Sequence, residues 1–337
     1  MTWSPVNYTN ACLKNPTANS CRPSVLALLA FITQYLGQSY DTLYTKVINT
    51  NDVQSEHDFI IVGAAGSAGC VLENRLSEIS DWKILLLEAG EDEPIVVDVP
   101  GMSSLLAQSS IDYAYRSEPE PAGIGDDEKR ILAYPRGQVM GGSSVMNAMW
   151  YTRGNKQDYD DWAAAGNEGW SWDEVLPYFK KSEDARDPEI IAKYPESHAT
   201  CGYQTVGRFP HQNHLTPAIL EAWKELGLEE IDYKIGGNQL GVSRTQFTAV
   251  HGVGQSTNGA FIRPMRSRRS NLTIKTNARA TKIVIDKGTK RATGVEYVIT
   301  DHQRNFVKKA VAAKEVNYFR RCDRFAEASD ALRDRSN

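Results

Sequence analysis

The 337-residue sequence contains no apolar run long enough to cross a membrane as a helix, so no integral span is expected. Positive charge is not in excess. Lys and Arg number 38 against 42 Asp and Glu, a net charge of −4, where a protein that grips nucleic acid by neutralising phosphates needs the opposite balance. Cysteine is sparse: five residues, at 12, 21, 70, 201 and 322. No CxxC pair or His/Cys cluster has zinc spacing. His211 and His214 lie between Pro210 and Pro217, in what reads as a loop, so no metal is expected. Hydrophobic content of 41% and charge of 24% are those of an ordinary soluble globular protein, and the length allows a sizeable core and two domains.

Cys12 and Cys21 are close enough to pair, which suits a secreted chain. Two acceptor sequons, Asn7-Tyr8-Thr9 and Asn271-Leu272-Thr273, permit the same reading. Ser24 to Gly37 is one apolar segment of signal-core length. It starts late and lacks a clean cleavage site, so an amphipathic or buried helix competes with a targeting role. Localisation therefore reads as secreted or extracellular, with the cytoplasm as the alternative.

What the sequence does have is a glycine-rich turn after an apolar run, Asp58-Phe59-Ile60-Ile61-Val62-Gly63-Ala64-Ala65-Gly66-Ser67-Ala68-Gly69-Cys70. An acid, Glu88, answers it at the end of Lys83-Ile84-Leu85-Leu86-Leu87. This predicts a βαβ unit that holds a dinucleotide: glycines let backbone approach a pyrophosphate, a helix N-terminus offers amides, and the acid accepts from a ribose. The spacing is not G-x-G-x-x-G. Counting from Gly63 there is one residue too many, and counting back from Gly69 the first place is Ala64. Cys70 falls where the helix should pack on the sheet and reads as a buried thiol.

A second stretch, Tyr134-Pro135-Arg136-Gly137-Gln138-Val139-Met140-Gly141-Gly142-Ser143-Ser144-Val145-Met146-Asn147-Ala148-Met149, suits a backbone that wraps an anion or a ring. The plainer alternative is a tight turn with Ser143 or Ser144 capping a helix. Ser171 and Glu174 predict a capping box, and a helix is expected over 217–226. The aromatics Trp162, Trp170, Trp172, Tyr178 and Phe179 read as core. Residues 271–276, 280–286 and 294–299 read as strands. From Asn317 onward no strand or helix pattern continues what precedes.

Together these stretches resemble the glucose–methanol–choline (GMC) oxidoreductases, and within them the insect FAD-dependent glucose dehydrogenase-like branch. The resemblance runs from about Tyr40 to Val316. It rests on the 58–90 block, on PRGQVMGGSSVMNAMWYTRGNKQDYDDWAAAGNEGWSWDEVLPYFKKSED, on GYQTVGRFP, on QSTNGAFIRP and on RSNLTIKTNARATKIVID. Gln138, Met140 and Gly254 depart from the residues usual at their places. The resemblance implies an α/β (mixed α+β) fold, with a Rossmann-like FAD-binding domain over 55–165 and 240–316. It implies a partial substrate-cap domain over 166–239, after an extension over 1–54 with one apolar helix. It implies FAD held by Gly63, Gly66, Ser67, Ala68 and Gly69 at the pyrophosphate and by Glu88 at the adenosine ribose. Arg136, Val139, Gly141, Gly142, Ser143, Asn147, Ala148 and Met149 would lie along the flavin side or pyrophosphate, and Ala280 would meet the adenine.

The implied reaction is oxidation of an alcohol or sugar at a CH–OH carbon, with hydride passing to flavin N5 and electrons leaving to a quinone-like acceptor or oxygen. The family's base is a histidine in its C-terminal portion. None of the six histidines here, at 57, 198, 211, 214, 251 and 302, matches it, so no catalytic residue is assigned. The tail over 317–337 departs from the family. A DNA stretch encoding G-A-I-D-S-P-K-L-L-M-L-S-G-I-G can be chosen so that, read from its third base, it spells Cys322 through Arg335. An out-of-frame tail is expected on that ground, with a natural short isoform as the alternative. The competing functions are an inactive FAD-binding fragment and, outside the family, a nicotinamide-dependent dehydrogenase using the same glycine turn.

Overall fold

The computed structural model describes residues 3–6, 21–39, 56–63, 66–119, 131–301 and 304–318. The Asn7 sequon, Cys12, Ala64, Ala65, His302 and the tail from 319 with Cys322 lie outside them. Cys21 is disulfide-bonded. The chain divides into two compact units, one running to Asn147 and resuming at Ser256, the other Ala148–Gln255.

The first unit is built on a six-stranded sheet. Its strands are β1 (Glu56–Val62), β2 (Ile84–Leu87), β3 (Leu272–Lys275), β4 (Ala278–Ile285), β5 (Ala292–Asp301) and β6 (Arg304–Tyr318). The spatial order is β4-β5-β6-β1-β2-β3. Strands β6, β1, β2 and β3 are parallel, while β4, β5 and β6 form an antiparallel meander. The fold is thus the expected mixed α/β. All four residues of β2 are apolar and at most 1% exposed, as a parallel strand covered on both faces requires. Each such side chain contributes roughly 1.5–3 kcal/mol by burial.

Strand β6 serves both halves of the sheet, because Val311 lies opposite both Gly294 of β5 and Glu56 of β1. It also runs on to Tyr318, which pairs with Val62. The expectation that strand pattern ends before Asn317 is corrected here: pairing with β1, not alternation in the sequence, keeps Asn317 and Tyr318 extended.

Helix α1 (Pro23–Leu36) buries Leu29 and Ile32, the latter among Trp3, Val96, Leu106 and Val139, while Leu28, Phe31 and Tyr35 are exposed. It has the one-sided burial of an amphipathic helix. Helix α2 (Ser67–Leu76) links β1 to β2. Its Cys70 is fully buried, and burial pushes that thiol's pKa far up. At the far end of α2, Asn271 Nδ2 donates to the carbonyls of Ser77, Ile79 and Trp82 at 3.2, 3.0 and 2.9 Å. The nitrogen of the second sequon is therefore engaged with carbonyls at and beyond the helix end, where intrahelical donors run out.

The second unit contains α3 (Lys156–Ala164), α4 (Trp172–Ser182), α5 (Pro188–Lys193) and α6 (Leu215–Glu225). Its strands Glu183–Ala185 and Gln204–Val206 pair in parallel. The capping box forms: Glu174 Oε2 accepts from the Ser171 amide at 3.1 Å. Trp172 is buried at 3%, but Trp162, Trp170 and Tyr178 are 50%, 51% and 71% exposed, which corrects their reading as core. Trp172 and Phe179 are seven apart and share one face of α4, whereas Tyr178 projects about 100° away from it. Trp162 and Trp170 pack edge to face at 5.7 Å.

Candidate functional site

At the end of β1, Gly63 takes φ +90°, a conformation side chains disfavour. Its N–H donates to Leu87 O at 2.9 Å, which ties the turn to the end of β2. Gly66 then precedes α2 with extended backbone and no side-chain cap, and its N–H reaches back to Gly63 O at 3.1 Å. Ser67 and Ala68 are exposed in the first turn, and Gly69 is buried. A helix start with no capping side chain presents amide donors and the positive end of the dipole, a ready seat for an anion. The residue in excess of the usual spacing falls between Gly63 and Gly66, outside the described residues.

Glu88 is fully buried just past β2. Its N–H donates to Lys275 O at 2.9 Å, and its carbonyl accepts from Ala278 N at 2.8 Å. Oε1 accepts from Gly90 N at 2.7 Å. Ala280, 7% exposed, stands two residues further along β4, opposite Tyr297. The glycine turn, the acid and the start of β4 therefore meet at the carboxyl edge of β1, β2 and β3, the edge where open α/β sheets receive ligands.

The second glycine stretch joins this edge. Val139 bridges Glu91, and Met140 N donates to Glu91 O at 2.9 Å. The Val139 side chain is wholly buried among Val96, Leu106, Ile111 and Val145, so only its backbone is left to face a ligand. A Cβ on Gly137 would lie 2.4 Å from Gly142 C. Arg136 N donates to Asp112 Oδ1 at 2.7 Å, its Nη1 donates to Pro135 O at 2.5 Å, and its Nε is buried with no acceptor. Gly141 and Gly142 both have positive φ, +88° and +57°.

Gly142–Ser144 is a single 3₁₀ turn whose preceding residue is Gly141. The tight turn of the plainer reading is present, but neither serine caps a helix there. Ser143 is exposed, and its Oγ accepts from Gly137 N at 3.3 Å. Asn147 is exposed. Ala148, exposed, and Met149, buried with φ +61°, belong to the second unit.

Sequence reasoning assigned no role to the acids beyond Glu88 or to the Ser256-Thr257-Asn258 turn. In the structure they form one buried network. Asp92 accepts from Arg266 Nη1 at 2.7 Å and from Asn258 Nδ2 at 3.0 Å. Glu93 bonds Ser256 Oγ and pairs with Arg263. Burial opposes charge on Asp92, but the Arg266 guanidinium wins and holds its carboxyl low. Burial raises Glu93 despite Arg263, and it raises Asp98 to about 6.

In the second unit an ionic chain, also missed from the sequence, runs through buried side chains. Arg153 Nη2 lies 2.9 Å from Glu183 Oε2, whose carboxylate meets His198 Nδ1 at 3.1 Å. His198 Nε2 meets Asp232 Oδ2 at 2.7 Å, and Asp232 Oδ1 meets Lys234 Nζ at 3.0 Å. Burial works against a charged imidazole, yet the hydrogen bonds to Asp232 and Glu183 hold His198 above its ordinary value. Glu183 directly follows α4 in the run Lys180-Lys181-Ser182-Glu183-Asp184, so nothing in its sequence surroundings separated it from a solvated helix end. Among the described residues no group of three or more His, Cys, Asp or Glu could hold a metal ion, and none of their helices is long and apolar enough to cross a membrane.

An open sheet whose carboxyl edge gathers a glycine turn, a helix start without a side-chain cap and a buried acid is the arrangement of the dinucleotide-binding α/β class. Residues 57–317 match the GMC oxidoreductase family, and the chain belongs to it. It is 46% identical over 261 residues to a glucose dehydrogenase (FAD, quinone) of Drosophila melanogaster, covering 77% of this chain and 40% of that protein. To an oxygen-dependent choline dehydrogenase of Photobacterium profundum it is 38% identical over 247 residues, 72% of this chain and 41% of the other. Among solved structures, pyridoxine 4-oxidase from Mesorbium loti superposes with a TM-score of 0.67 at 30% identity, covering 78% of this chain and 49% of that one. The chain thus spans less than half the length of each of these proteins.

Proposed function

We propose that this chain binds FAD and forms the cofactor-holding portion of an oxidoreductase that acts on CH–OH donors, alcohols or sugars. The observation that carries the proposal is the joint between the Gly63 turn and the end of β2, Gly63 N to Leu87 O at 2.9 Å, which sets the first turn of α2 beside buried Glu88. In this reading Gly66, Ser67, Ala68 and Gly69 hold the pyrophosphate, and Glu88 holds the adenosine ribose. The backbone near Ala280 meets the adenine. Arg136, Val139, Gly141, Gly142, Ser143, Asn147, Ala148 and Met149 serve the flavin side. The close backbone approaches at Gly90 and Gly137 and the left-handed Gly141 suit a cradle made of main chain. When bound, the flavin supplies a two-electron acceptor for an alcohol C–H.

The acceptor that takes those electrons onward is of the quinone or oxygen class, as the names of two relatives suggest. Residues 166–239, which lie within the second unit, contribute part of a substrate cap. A disulfide at Cys21 supports an extracellular or secretory compartment. Titration of the purified apoprotein with FAD tests the cofactor: quenched flavin fluorescence and bound-flavin absorption bands are expected, and a protein that takes up no flavin overturns the proposal.

A second reading is FAD binding without turnover. It is in keeping with His198, whose ring nitrogens are both engaged by carboxylates and whose side chain is buried, so that this histidine is not placed to take a proton from a substrate. Under this reading the flavin-loaded chain does not oxidise alcohols with an artificial acceptor. Turnover in that assay overturns the second reading and leaves the first standing.

A further inference from the structure

The paired serines of the glycine-rich turn are not equivalent. A hydroxyl has one proton to give and two lone pairs to accept with. Ser144 Oγ lies 2.6 Å from Gly141 O, so its proton goes there. It accepts from the Thr257 amide at 3.0 Å and lies 2.9 Å from Thr257 Oγ1, which with the Ser144 proton committed acts as the donor. All three bonds of Ser144 are filled within the protein. Ser143, one position earlier, is exposed and accepts only from Gly137 N, so its proton is free for a ligand.

The partner of Ser144 belongs to a turn that also holds the acidic loop following Glu88. Ser256 Oγ bonds Glu93 and accepts from Gly259 N at 2.9 Å. Asn258 Nδ2 bonds Asp92. A Cβ on Gly141 would come within 2.9 Å of Glu93 Oε1 and 3.1 Å of Asn258 Cβ, so the three segments are packed to contact at that point. Residues 256–258 therefore fasten two loops, 88–93 and 141–144, that lie far from them in sequence.

Resting on the FAD reading above, we propose that Ser144 and Thr257 are positioning residues for the flavin site, and that Ser143 faces the ligand while Ser144 holds the turn. The test uses the full 337-residue chain as apoprotein, with FAD affinity from fluorescence quenching, the visible circular dichroism of bound flavin, and the urea midpoint without flavin. Ser144→Ala should weaken FAD about 10- to 100-fold and change the bound-flavin dichroism, since it also strands the Thr257 amide. Thr257→Val should weaken it about 3- to 10-fold, and Thr257→Ser should restore binding to within about 2-fold. Ser144→Ala combined with Thr257→Val should lose less than the sum of the two single losses, because the two side chains share an interaction while Thr257 Oγ1 also lies 3.4 Å from Gly141 O. Ser143→Ala should weaken FAD with no change in the urea midpoint.

Wild-type dichroism and affinity in Ser144→Ala, or additive losses in the double variant, overturn the inference while the FAD reading stands. If Ser144→Ala fails to fold, the comparison of Thr257→Val with Thr257→Ser decides: equal binding by the two overturns it. A wild-type chain that takes up no FAD overturns the underlying reading and this inference with it.

Discussion

A Cβ added to Gly90 would lie 2.0 Å from the carbonyl oxygen of Gln138 and 2.6 Å from Val139 N. Two stretches that the sequence presents as separate glycine-rich blocks are thus pressed backbone to backbone, with Glu88 just ahead of the contact. Gly90→Ala must push the Gln138–Val139 chain away. The expected outcome is a loss of about 1–3 kcal/mol in urea unfolding together with weakened FAD uptake. Retention of both would mean that the loops are not held at this distance.

Asn271 donates through its side-chain nitrogen to three carbonyls at the end of α2. That nitrogen is the atom a glycan would need. Intact-mass and peptide mapping of protein from a secreting host should find Asn271 unmodified, and Asn271→Ala should lower stability by about 2–3 kcal/mol. A glycan at Asn271 would contradict the arrangement.

Glu73 is fully buried on α2, and neither carboxyl oxygen has a hydrogen-bond partner. Burial raises its pKa well above 4.5, more than Arg266 and Arg269 lower it. The unfolded chain ionises this group near 4.5 while the folded chain resists, so the group's contribution to stability falls as pH rises above that value. Glu73→Gln cannot ionise. It should match the wild type near pH 4 and exceed it by about 1–3 kcal/mol at pH 7 to 8 in urea unfolding. Identical pH dependence in the two proteins would show that the acid is not buried uncharged.

His198 loses its contribution in the same direction, from a different cause. Its folded pKa lies above the ordinary 6.5, raised by Asp232 and Glu183 against the effect of burial. The stability it contributes is fully present below 6.5 and is lost as pH rises through the folded value. Thermal melts from pH 5.5 to 9 should show this decline for the wild type. His198→Ala should lack it and be less stable by about 3–5 kcal/mol at pH 6, because it leaves two buried carboxylates facing each other without their bridge. A flat wild-type profile would count against a charged imidazole.

The local features of the site were legible in the sequence. Apolar runs at 58–62 and 84–87 marked buried parallel strands, because covered strands need no polar alternation. Gly63 marked a glycine-rich turn and Ser171 with Glu174 a helix start, since each depends on residues within a few positions. Aromatic content misled for the same reason: composition counts Trp162, Trp170 and Tyr178 as core candidates, and only the facing of α3 and α4 decides which rings are covered. The extension of β6 to Tyr318 was hidden because pairing with β1 imposes it.

Family membership, the mixed α/β fold and the residues that turn the chain at Gly63, Gly141 and Gly142 follow from the sequence by itself, because backbone conformation and periodicity are set by neighbours along the chain. Tertiary structure alone decided that Ser144 is committed to Thr257 while Ser143 is open. It alone decided that Asn271 braces α2, and that Arg153, Glu183, His198, Asp232 and Lys234 neutralise one another in series. Each of these depends on side chains brought together from distant segments, and a buried charge or hydroxyl takes its role from partners that only the folded chain supplies.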